Sequence, residues 1–324
     1  MTMSRISLLA MGGTISTNAA PAGALPTLGA RELAGGVQDP TNGVEVRSRD
    51  ILKISGRGVS LQNMWDLAVA VREEVDNGAN GVVVTHGTDT LEETAYALSL
   101  LVDRHVPIVI TGAMRVPGTL GADGPANLSA AITVAQDQRF APYGPLVVFQ
   151  DEIHSARWAT KTHSTRVAAF SSPGTGPVGY VVEDRAVAVH GPLSATDRLS
   201  HTAAPDKRVE LLWAVAGADG MIVDAIADRI DGLVIAGTGG GHVAPPLAES
   251  LVRLAASGCP VVLASRCPDP QTLTHTYGGP GSEVQLLADG LHGAGSLSAL
   301  KARLRLSFGL SAGISASELF PEGM

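Results

Sequence analysis

The chain has 324 residues, which is long for one ordinary domain, and 45% of them are hydrophobic, so we expect two domains with sizeable cores. Its net charge is −8 and no basic cluster offsets it, which argues against nucleic acids and anionic membrane surfaces as partners. A strand pattern begins close to Met1 and leaves no room for a signal peptide, and no apolar run reaches the ~20 residues of a membrane span. We therefore expect a cytoplasmic protein that does not bind membranes.

Strand-like and helix-like patterns alternate along the first half of the chain. Apolar runs typical of buried strands lie at 6–10, 81–85, 107–110 and 146–149, and helical spacing covers 64–75, 91–102 and 125–137. Thr90-Leu91-Glu92-Glu93 matches a capping box, so a helix is expected to begin there. This order predicts an α/β fold with a mostly parallel sheet and helices on both of its faces.

A second alternation follows a polar segment that contains Pro192 and Pro205. Beyond that segment, strands are predicted at 233–236 and 261–264, and helices at 223–229, 246–257 and 297–310. We therefore predict an N-terminal α/β catalytic domain at 1–190, a linker at 191–208 and a smaller C-terminal α/β domain at 209–324.

Two glycine-threonine turns each follow a predicted strand directly. The first reads Met11-Gly12-Gly13-Thr14-Ile15 and the second reads His86-Gly87-Thr88-Asp89-Thr90. Ligands bind at this edge of open α/β sheets, so the two threonine hydroxyls, one of them beside the Asp89 carboxylate, suggest nucleophilic chemistry. The ordinary alternative is that Thr90 caps a helix, Asp89 supplies charge near its N-terminus and Thr88 is a turn residue.

Lys161 stands in a polar stretch, 157–165, between a predicted strand and the apolar residues 167–170. A lysine in such a stretch is most often a solvated surface charge. Held close to a threonine and a carboxylate, the same amine can lose its proton and act as a base, with Asp89 orienting it as the acid does in a catalytic triad. Both interpretations remain open on the sequence.

Other candidate motifs favour structural roles. The run 237–242 resembles a phosphate loop, but it lacks the P-loop lysine and its glycines miss the dinucleotide spacing, which favours a strand-to-helix turn. The nine histidines show no metal-ligand spacing and the two cysteines form no disulfide framework, so we expect no metal and no cofactor. His86 and His163 are expected to be hydrogen-bonding supports. The segment 17–29 is either a lid over Thr14 or an ordinary surface loop.

Four motifs together resemble those of the bacterial L-asparaginase family. They are Gly-Gly-Thr-Ile at 12–15, His-Gly-Thr-Asp-Thr-Leu-Glu-Glu-Thr-Ala at 86–95, Gly-Ala-Met-Arg at 112–115 and Ala-Asp-Gly-Pro at 122–125, and Lys161-Thr162, Phe170, Arg266 and 301–303 agree with them. The second motif is very specific, whereas Gly-Gly-Thr alone is weak. The resemblance runs through most of the chain and implies hydrolysis of the side-chain amide of asparagine, and often of glutamine, to the acid and ammonia.

The resemblance also implies catalytic roles for four residues. Thr14 resembles the primary nucleophile, which attacks the amide carbon and forms an acyl-threonine. Thr88, Asp89 and Lys161 resemble the second threonine with its activating partners, and Asp89 alternatively binds the substrate's ammonium group. The family further implies a small amino-acid amide as substrate, no cofactor, and a homotetramer built as a dimer of dimers.

The implied substrate-binding residues lie on the turns and on one altered loop. Those at the ends of predicted strands are Gly13, Gly87, Thr88, Asp89 and Ala113. A backbone N–H group near Thr88 or Ala113 that donates to the oxyanion would stabilise the tetrahedral intermediate by ~3–4 kcal/mol. Where family members hold the substrate carboxylate with a serine, this chain reads Ser55-Gly56-Arg57-Gly58-Val59-Ser60. Arg57 or Gly58 falls at that position and Ser60 is a nearby substitute; an arginine can hold a carboxylate with two hydrogen bonds.

The chain departs from the family pattern in other places as well. The tyrosine that activates the nucleophile in many members is missing, since 16–33 contains none and the aligned place is near Ala24 or Leu25. The asparagine and glutamate that some members donate from a neighbouring subunit are not evident in 215–218 and 275–279, where Tyr277 is a replacement contact. Three hypotheses follow: an asparagine amidohydrolase, an amidase for another small amide such as L-glutamine or a D- or β-linked amide, and a non-catalytic binding protein that kept the fold.

Overall fold

A computed structural model of the protein describes residues 4–18, 25–35, 44–103, 105–192 and 197–322. The chain forms two compact units, Met1–Arg198 and Leu199–Met324. Residues 193–196 of the predicted linker and residues 19–24 of the predicted loop or lid, including Ala24, lie outside the described residues.

The first unit is built on one eight-stranded sheet. Its strands are β1 (Ser4–Gly12), β4 (Val44–Ile54), β5 (Gly81–Thr85), β6 (Ile108–Thr111), β7 (Leu146–Phe149), β8 (Glu152–Ser155), β11 (Gly179–Val182) and β12 (Arg185–Ala188), and two short ribbons pair β2 (Thr17–Asn18) with β3 (Leu25–Pro26) and β9 (Thr160–Lys161) with β10 (Phe170–Ser171). The helices of this unit are α1 (Ala30–Gly35), α2 (Leu61–Asp76), α3 (Leu91–Leu101) and α4 (Gly124–Gln136).

The order of the large sheet is β12-β11-β8-β7-β6-β5-β1-β4. From β4 to β7 all neighbours are parallel, and β8, β11 and β12 extend the sheet with antiparallel pairs. The prediction of a mostly parallel sheet is confirmed, but β4 and the three antiparallel strands were not predicted. The mostly exposed edge strand β4 has no continuous apolar run, and the two hairpin turns, Gln150-Asp151 and Glu183-Asp184, adopt positive φ angles without glycine.

Helices cover both faces of this sheet, as predicted. On one face, α4 packs against Leu8, Val83 and Val109, all of which are fully buried. Side chains alternate along a strand, so Val82 and Val84 point to the opposite face, where α2 and α3 contact the same strands. The central strands β5, β6 and β7 are thus buried on both sides, and the accessible polar positions next to them are at the strand ends.

The second unit is a smaller α/β unit, as predicted. Its sheet is entirely parallel, in the order of β13 (Val209–Trp213), β14 (Gly232–Gly237), β15 (Val261–Ser265) and β16 (His292–Gly293). Its helices are α5 (Met221–Ile226), α6 (Pro245–Ala256), α7 (Glu283–Ala288), α8 (Ala299–Ser311) and α9 (Ala316–Leu319). The sequence pattern ended at the helix 297–310, and it missed α9, which is one turn long and begins with a Ser315–Glu318 capping box. In the described part of the chain, no helix is both long and apolar enough to cross a bilayer.

Candidate active site

Three glycines bring three loops of the first unit into direct backbone contact. Gly13 follows β1, Gly56 follows β4 and Gly87 follows β5. A Cβ atom on Gly13, whose φ is +81°, would lie 2.4 Å from the Gly87 Cα atom, and a Cβ on Gly87 would lie 2.5 Å from the Gly56 nitrogen. No side chain fits in either gap, so the glycines allow the three strand ends to meet. The residues that directly follow these glycines are Thr14, Arg57 and Thr88.

Thr14 begins a one-turn 3-10 helix, Thr14–Ser16, and its side chain is half-buried. Its carbonyl oxygen accepts a hydrogen bond from the Thr17 hydroxyl at 2.7 Å. The Thr14 hydroxyl makes no hydrogen bond to any residue that the structure describes. The first turn therefore presents, beside the second turn, a hydroxyl with no partner among the described residues.

Lys161 lies beside Thr88 and Asp89. Its Nζ atom donates to Thr88 Oγ1 and to Asp89 Oδ1, each at 2.8 Å. The Lys161 side chain is only 14% exposed and Thr88 is buried, whereas the Asp89 side chain is 62% exposed. The solvated-surface interpretation of Lys161 is therefore wrong. An amine between a hydroxyl and a carboxylate can exchange a proton with the hydroxyl while the carboxylate orients it.

A short ribbon and one buried carboxylate hold Lys161 in place. Lys161 pairs with Phe170 across the β9–β10 ribbon, and the Phe170 ring packs on Phe149 with ring centroids 4.9 Å apart. The Lys161 backbone N–H donates to Glu92 Oε1 at 3.0 Å, and Glu92 is buried. Sequence analysis missed this contact because it assigned the Thr-Leu-Glu-Glu run to a capping box.

Thr90 does begin α3, but the predicted capping box is wrong. Its hydroxyl makes no hydrogen bond to the helix N-terminus and instead donates to the Gly56 carbonyl at 2.8 Å. The neighbouring loop supplies an acceptor that the local sequence does not reveal. The hydroxyl thus ties the β4 loop to the start of α3.

His86 supports the second turn from inside the protein. One ring nitrogen, Nδ1, lies 2.8 Å from the Gly87 carbonyl and the other, Nε2, lies 2.9 Å from the Thr94 hydroxyl. Burial lowers the pKa of His86 from 6.5 to about 4, so the ring is neutral near pH 7. A neutral ring that donates from Nδ1 and accepts at Nε2 satisfies both contacts. His163 similarly accepts backbone N–H bonds within its own turn, at Nδ1.

The carboxylate-holding candidates differ in what already engages them. Arg57 and Gly58 are exposed in the 3-10 turn Gly56–Gly58, and within the described residues the Arg57 guanidinium pairs with no carboxylate. Ser60 is exposed but caps α2, since its side chain and that of Asn63 form a capping box. Of these three residues, only Arg57 has a charged side chain, and no carboxylate among the described residues pairs with it.

Ala113 lies buried at the end of β6, in a loop fixed by a polar network. The Asn127 side-chain amide donates to the Gly112 carbonyl at 3.0 Å, and the Asp123 carboxylate accepts from the backbone N–H groups of Met114 and Arg115, each at 2.9 Å. This network holds the backbone around Ala113 in one conformation.

The second unit places the glycine-rich run 237–242 in a tight turn. The amides of Thr238, Gly241 and His242 all bond within that turn, which leaves them unavailable to a phosphate. His242 Nε2 lies 2.9 Å from the buried Glu283 carboxylate, and the Tyr277 ring meets His242 edge-on with centroids 4.9 Å apart. His242 and Tyr277 border a cavity of about 470 Å³, which the sequence indicated through Tyr277 and the run 237–242. Val215 is exposed on the loop after β13.

Among the residues that the structure describes, no group of three or more His, Cys, Asp or Glu side chains is placed to hold a metal ion. Cys259 and Cys267 are both free.

Comparison with known proteins identifies the class of enzyme. A family model for the N-terminal domain of asparaginase matches residues 5–194, and one for the glutaminase/asparaginase C-terminal domain matches residues 208–319. The chain is 38% identical over 321 residues to a probable L-asparaginase of Deinococcus radiodurans, covering 97% of this chain and 95% of that protein. It is 33% identical over 277 residues to a glutaminase-asparaginase of Pseudomonas fluorescens biotype A, covering 81% and 75% of the two chains.

A solved structure extends the likeness to the whole fold. The crystal structure of a probable cytoplasmic L-asparaginase from Campylobacter jejuni superposes with a TM-score of 0.87 at 29% identity, covering 98% of both chains. Fold and sequence thus define an amidohydrolase of two α/β units. The chain belongs to the asparaginase family and is an L-asparaginase-type enzyme, which favours the two enzyme hypotheses over a non-catalytic binding protein.

Proposed function

We propose that this enzyme hydrolyses the side-chain amide of L-asparagine to L-aspartate and ammonia through an acyl-threonine intermediate. The observation that carries the proposal is the Lys161 amine, 2.8 Å from both Thr88 Oγ1 and Asp89 Oδ1. The glycine contact sets the Thr14 turn directly beside this group. All of these residues belong to the unit Met1–Arg198, so we assign the catalytic role to that unit.

The chemistry has two halves. In the first, Thr14 Oγ attacks the amide carbon, its proton passes to a base, the C–N bond breaks and ammonia leaves with the proton. In the second, water attacks the acyl-threonine and the acid departs with restoration of the Thr14 hydroxyl. Lys161 in its amine form takes the Thr88 proton, so that Thr88 can in turn accept a proton from the attacking oxygen.

The loop 55–60, which differs from the family pattern at the carboxylate-holding position, supports L-glutamine as a second candidate substrate. A relative at 33% identity is named a glutaminase-asparaginase, and the family resemblance implies that Arg57 or Gly58 falls where family members carry a serine. An arginine with no carboxylate partner among the described residues can hold the α-carboxylate of a longer substrate. L-Glutamine is therefore the alternative substrate.

Ammonia release from L-asparagine and L-glutamine, measured in parallel with a panel of small D- and β-linked amides, decides between these candidates. We expect the highest kcat/KM for L-asparagine. Higher kcat/KM for another amide would reassign the substrate, and no ammonia from any amide at micromolar enzyme would overturn the proposed function.

Two variants test the proposed residue roles. Thr14→Ala and Lys161→Met are each expected to lower kcat at least ~10³-fold with unchanged thermal unfolding. Lys207→Met serves as the matched lysine control, because Lys207 pairs with Asp231 in the second unit. Near-normal kcat in either site variant contradicts the role assigned to that residue.

We further propose that the enzyme is a cytoplasmic homotetramer, a dimer of dimers. The second unit exposes several large apolar side chains, including Trp213, Val215, Met221 and Ile222, which suits burial between copies. The cytoplasmic location is supported by the name of the Campylobacter jejuni neighbour. Light scattering after gel filtration tests the assembly, and cell fractionation tests the location. A monomer at all concentrations, or activity outside the cytoplasmic fraction, contradicts the respective part.

A further inference from the structure

The N-cap residue and the first two turns of α3 contact the β4 loop, the β5 loop and the segment that carries Lys161. Thr90 donates to the Gly56 carbonyl of the β4 loop, at 2.8 Å. Thr94 bonds His86, whose other ring nitrogen bonds the Gly87 carbonyl of the β5 loop. Glu92 accepts the backbone N–H of Lys161, at 3.0 Å. Two of these contacts fix turns that glycine packing already holds, whereas the third reaches the segment that carries Lys161.

That segment is the β9–β10 ribbon, which consists of only two residue pairs. Lys161 faces Phe170 and Thr160 faces Ser171. The Lys161 N–H points away from its ribbon partner and toward α3, so an outside acceptor must satisfy it. Glu92 is that acceptor.

The acceptor is well suited to fixing a main chain. Glu92 is 6% exposed, so its side chain has little room to change conformation. A carboxylate forms a shorter and stronger hydrogen bond to an N–H group than a neutral acceptor does, and burial strengthens it further. The bond joins a rigid helix to the residue whose side chain reaches Thr88 and Asp89.

We propose that Glu92 is a positioning residue that sets the main chain of Lys161 and thereby the location of its Nζ atom. The inference rests on the proposed function, because it assumes that Lys161 acts as a base. A lysine side chain has four rotatable bonds, so a fixed starting point is needed for Nζ to meet two acceptors at once. A displacement of about 1 Å in a catalytic group can lower the rate ~10²-fold.

Three substitutions separate positioning from charge and from stability. Glu92→Ala removes the acceptor and is expected to lower kcat ~10–100-fold, with KM for L-asparagine changed less than ~3-fold. Glu92→Gln keeps an amide oxygen at the same reach, so we expect kcat within ~5-fold of the native enzyme. Glu92→Asp keeps the charge but shortens the reach by one methylene, and its kcat is expected to fall below that of Glu92→Gln.

A remote carboxylate provides the matched control. Glu74 has a side chain 17% exposed and accepts from the Ser7 hydroxyl at 2.7 Å, near the C-terminal end of α2. Glu74→Ala and Glu74→Gln are expected to leave kcat unchanged. Thermal unfolding of every variant gives the stability cost separately, and kcat is measured well below each melting temperature.

The outcomes distinguish this inference from the proposed function. If Lys161→Met keeps near-native kcat, the proposed role of Lys161 fails. If Lys161→Met is inactive and a folded Glu92→Ala keeps native kcat, only the positioning role fails. If Glu92→Ala does not fold, the kcat values of the other two variants test the positioning role. A kcat for Glu92→Asp equal to or above that of Glu92→Gln overturns the inference.

Discussion

The Lys161 amine lies 2.8 Å from the Thr88 hydroxyl oxygen, although 73 residues separate the two in sequence. The strand end at β5 supplies the hydroxyl and the short β9–β10 ribbon supplies the amine. The distance between the partly buried lysine and the buried threonine therefore depends on how the surrounding backbone is held.

Replacing Arg57 tests what holds the substrate carboxylate. We expect Arg57→Ala to raise KM for L-asparagine ~10–100-fold with little change in kcat, because a charge-assisted hydrogen-bond pair to the carboxylate is lost. Steady-state ammonia release measures both constants. Arg47→Ala is the control, since Arg47 is an exposed arginine paired with Glu45 on β4. An unchanged KM in Arg57→Ala means that this side chain does not contact the carboxylate.

A methyl group at Gly87 is expected to disrupt both stability and activity. The Cβ of Gly87→Ala would lie 2.5 Å from the Gly56 nitrogen, so the loops must separate at a cost of ~1–3 kcal/mol. Because Thr88 follows directly, we expect kcat to fall together with the melting temperature. Gly35→Ala is the control, with no atom within 4 Å of its added Cβ. A Gly87→Ala enzyme with native stability contradicts the packing described for these loops.

The Thr90 hydroxyl is expected to stabilise the loop that carries Arg57. Thr90→Val keeps the shape but removes the donor to the Gly56 carbonyl, which we expect to lower the free energy of unfolding by ~1–2 kcal/mol. Thr90→Ser keeps the donor and is expected to retain most of the stability. Chemical denaturation compares the two, and equal stability of the Val and Ser variants would argue against this bond.

His86 makes stability depend on pH on the acidic side. Burial lowers its pKa from 6.5 to about 4, so as the pH falls through this range the unfolded chain takes up a proton that the folded protein does not. The stability contribution of the neutral ring is therefore complete above about pH 6.5 and is lost toward pH 4, by about 3 kcal/mol.

The measurement is the free energy of unfolding from pH 7 to pH 4. His86→Gln keeps a donor and an acceptor without the titration, so its stability is expected to fall less steeply than that of the native protein. His105→Gln, at an exposed histidine, is expected to follow the native curve. Identical slopes for native protein and His86→Gln would show that this ring is not buried in its neutral form.

Local pattern predicted much of the fold, because the buried strands and the longer helices carry strong periodicity. β5 and β7 lie at 81–85 and 146–149, the predicted bounds. The strand β4 was not predicted because it is an exposed edge strand. The hairpin β11–β12 was not predicted because its turn, Glu183-Asp184, contains no glycine. Such turns depend on tertiary support that a sequence window does not contain.

In the candidate site, too, some residues could be predicted from the sequence and others could not. Thr14, Thr88 and Asp89 follow glycines at strand ends, and their position is visible in the sequence. The contacts of Glu92 with Lys161 and of His242 with Glu283 join residues 69 and 41 positions apart. No local rule links them, because they arise from how a ribbon packs on a helix and how a turn packs on a loop.

The meeting of Gly13, Gly56 and Gly87 has a consequence for how the enzyme fails on heating. The three loops touch main chain to main chain at the ends of adjacent strands, so separating them while those strands stay paired has a free-energy cost. We therefore expect inactivation and melting of the large sheet to occur together, as a single cooperative event. Residual activity along a heating curve is expected to coincide with the native fraction reported by circular dichroism.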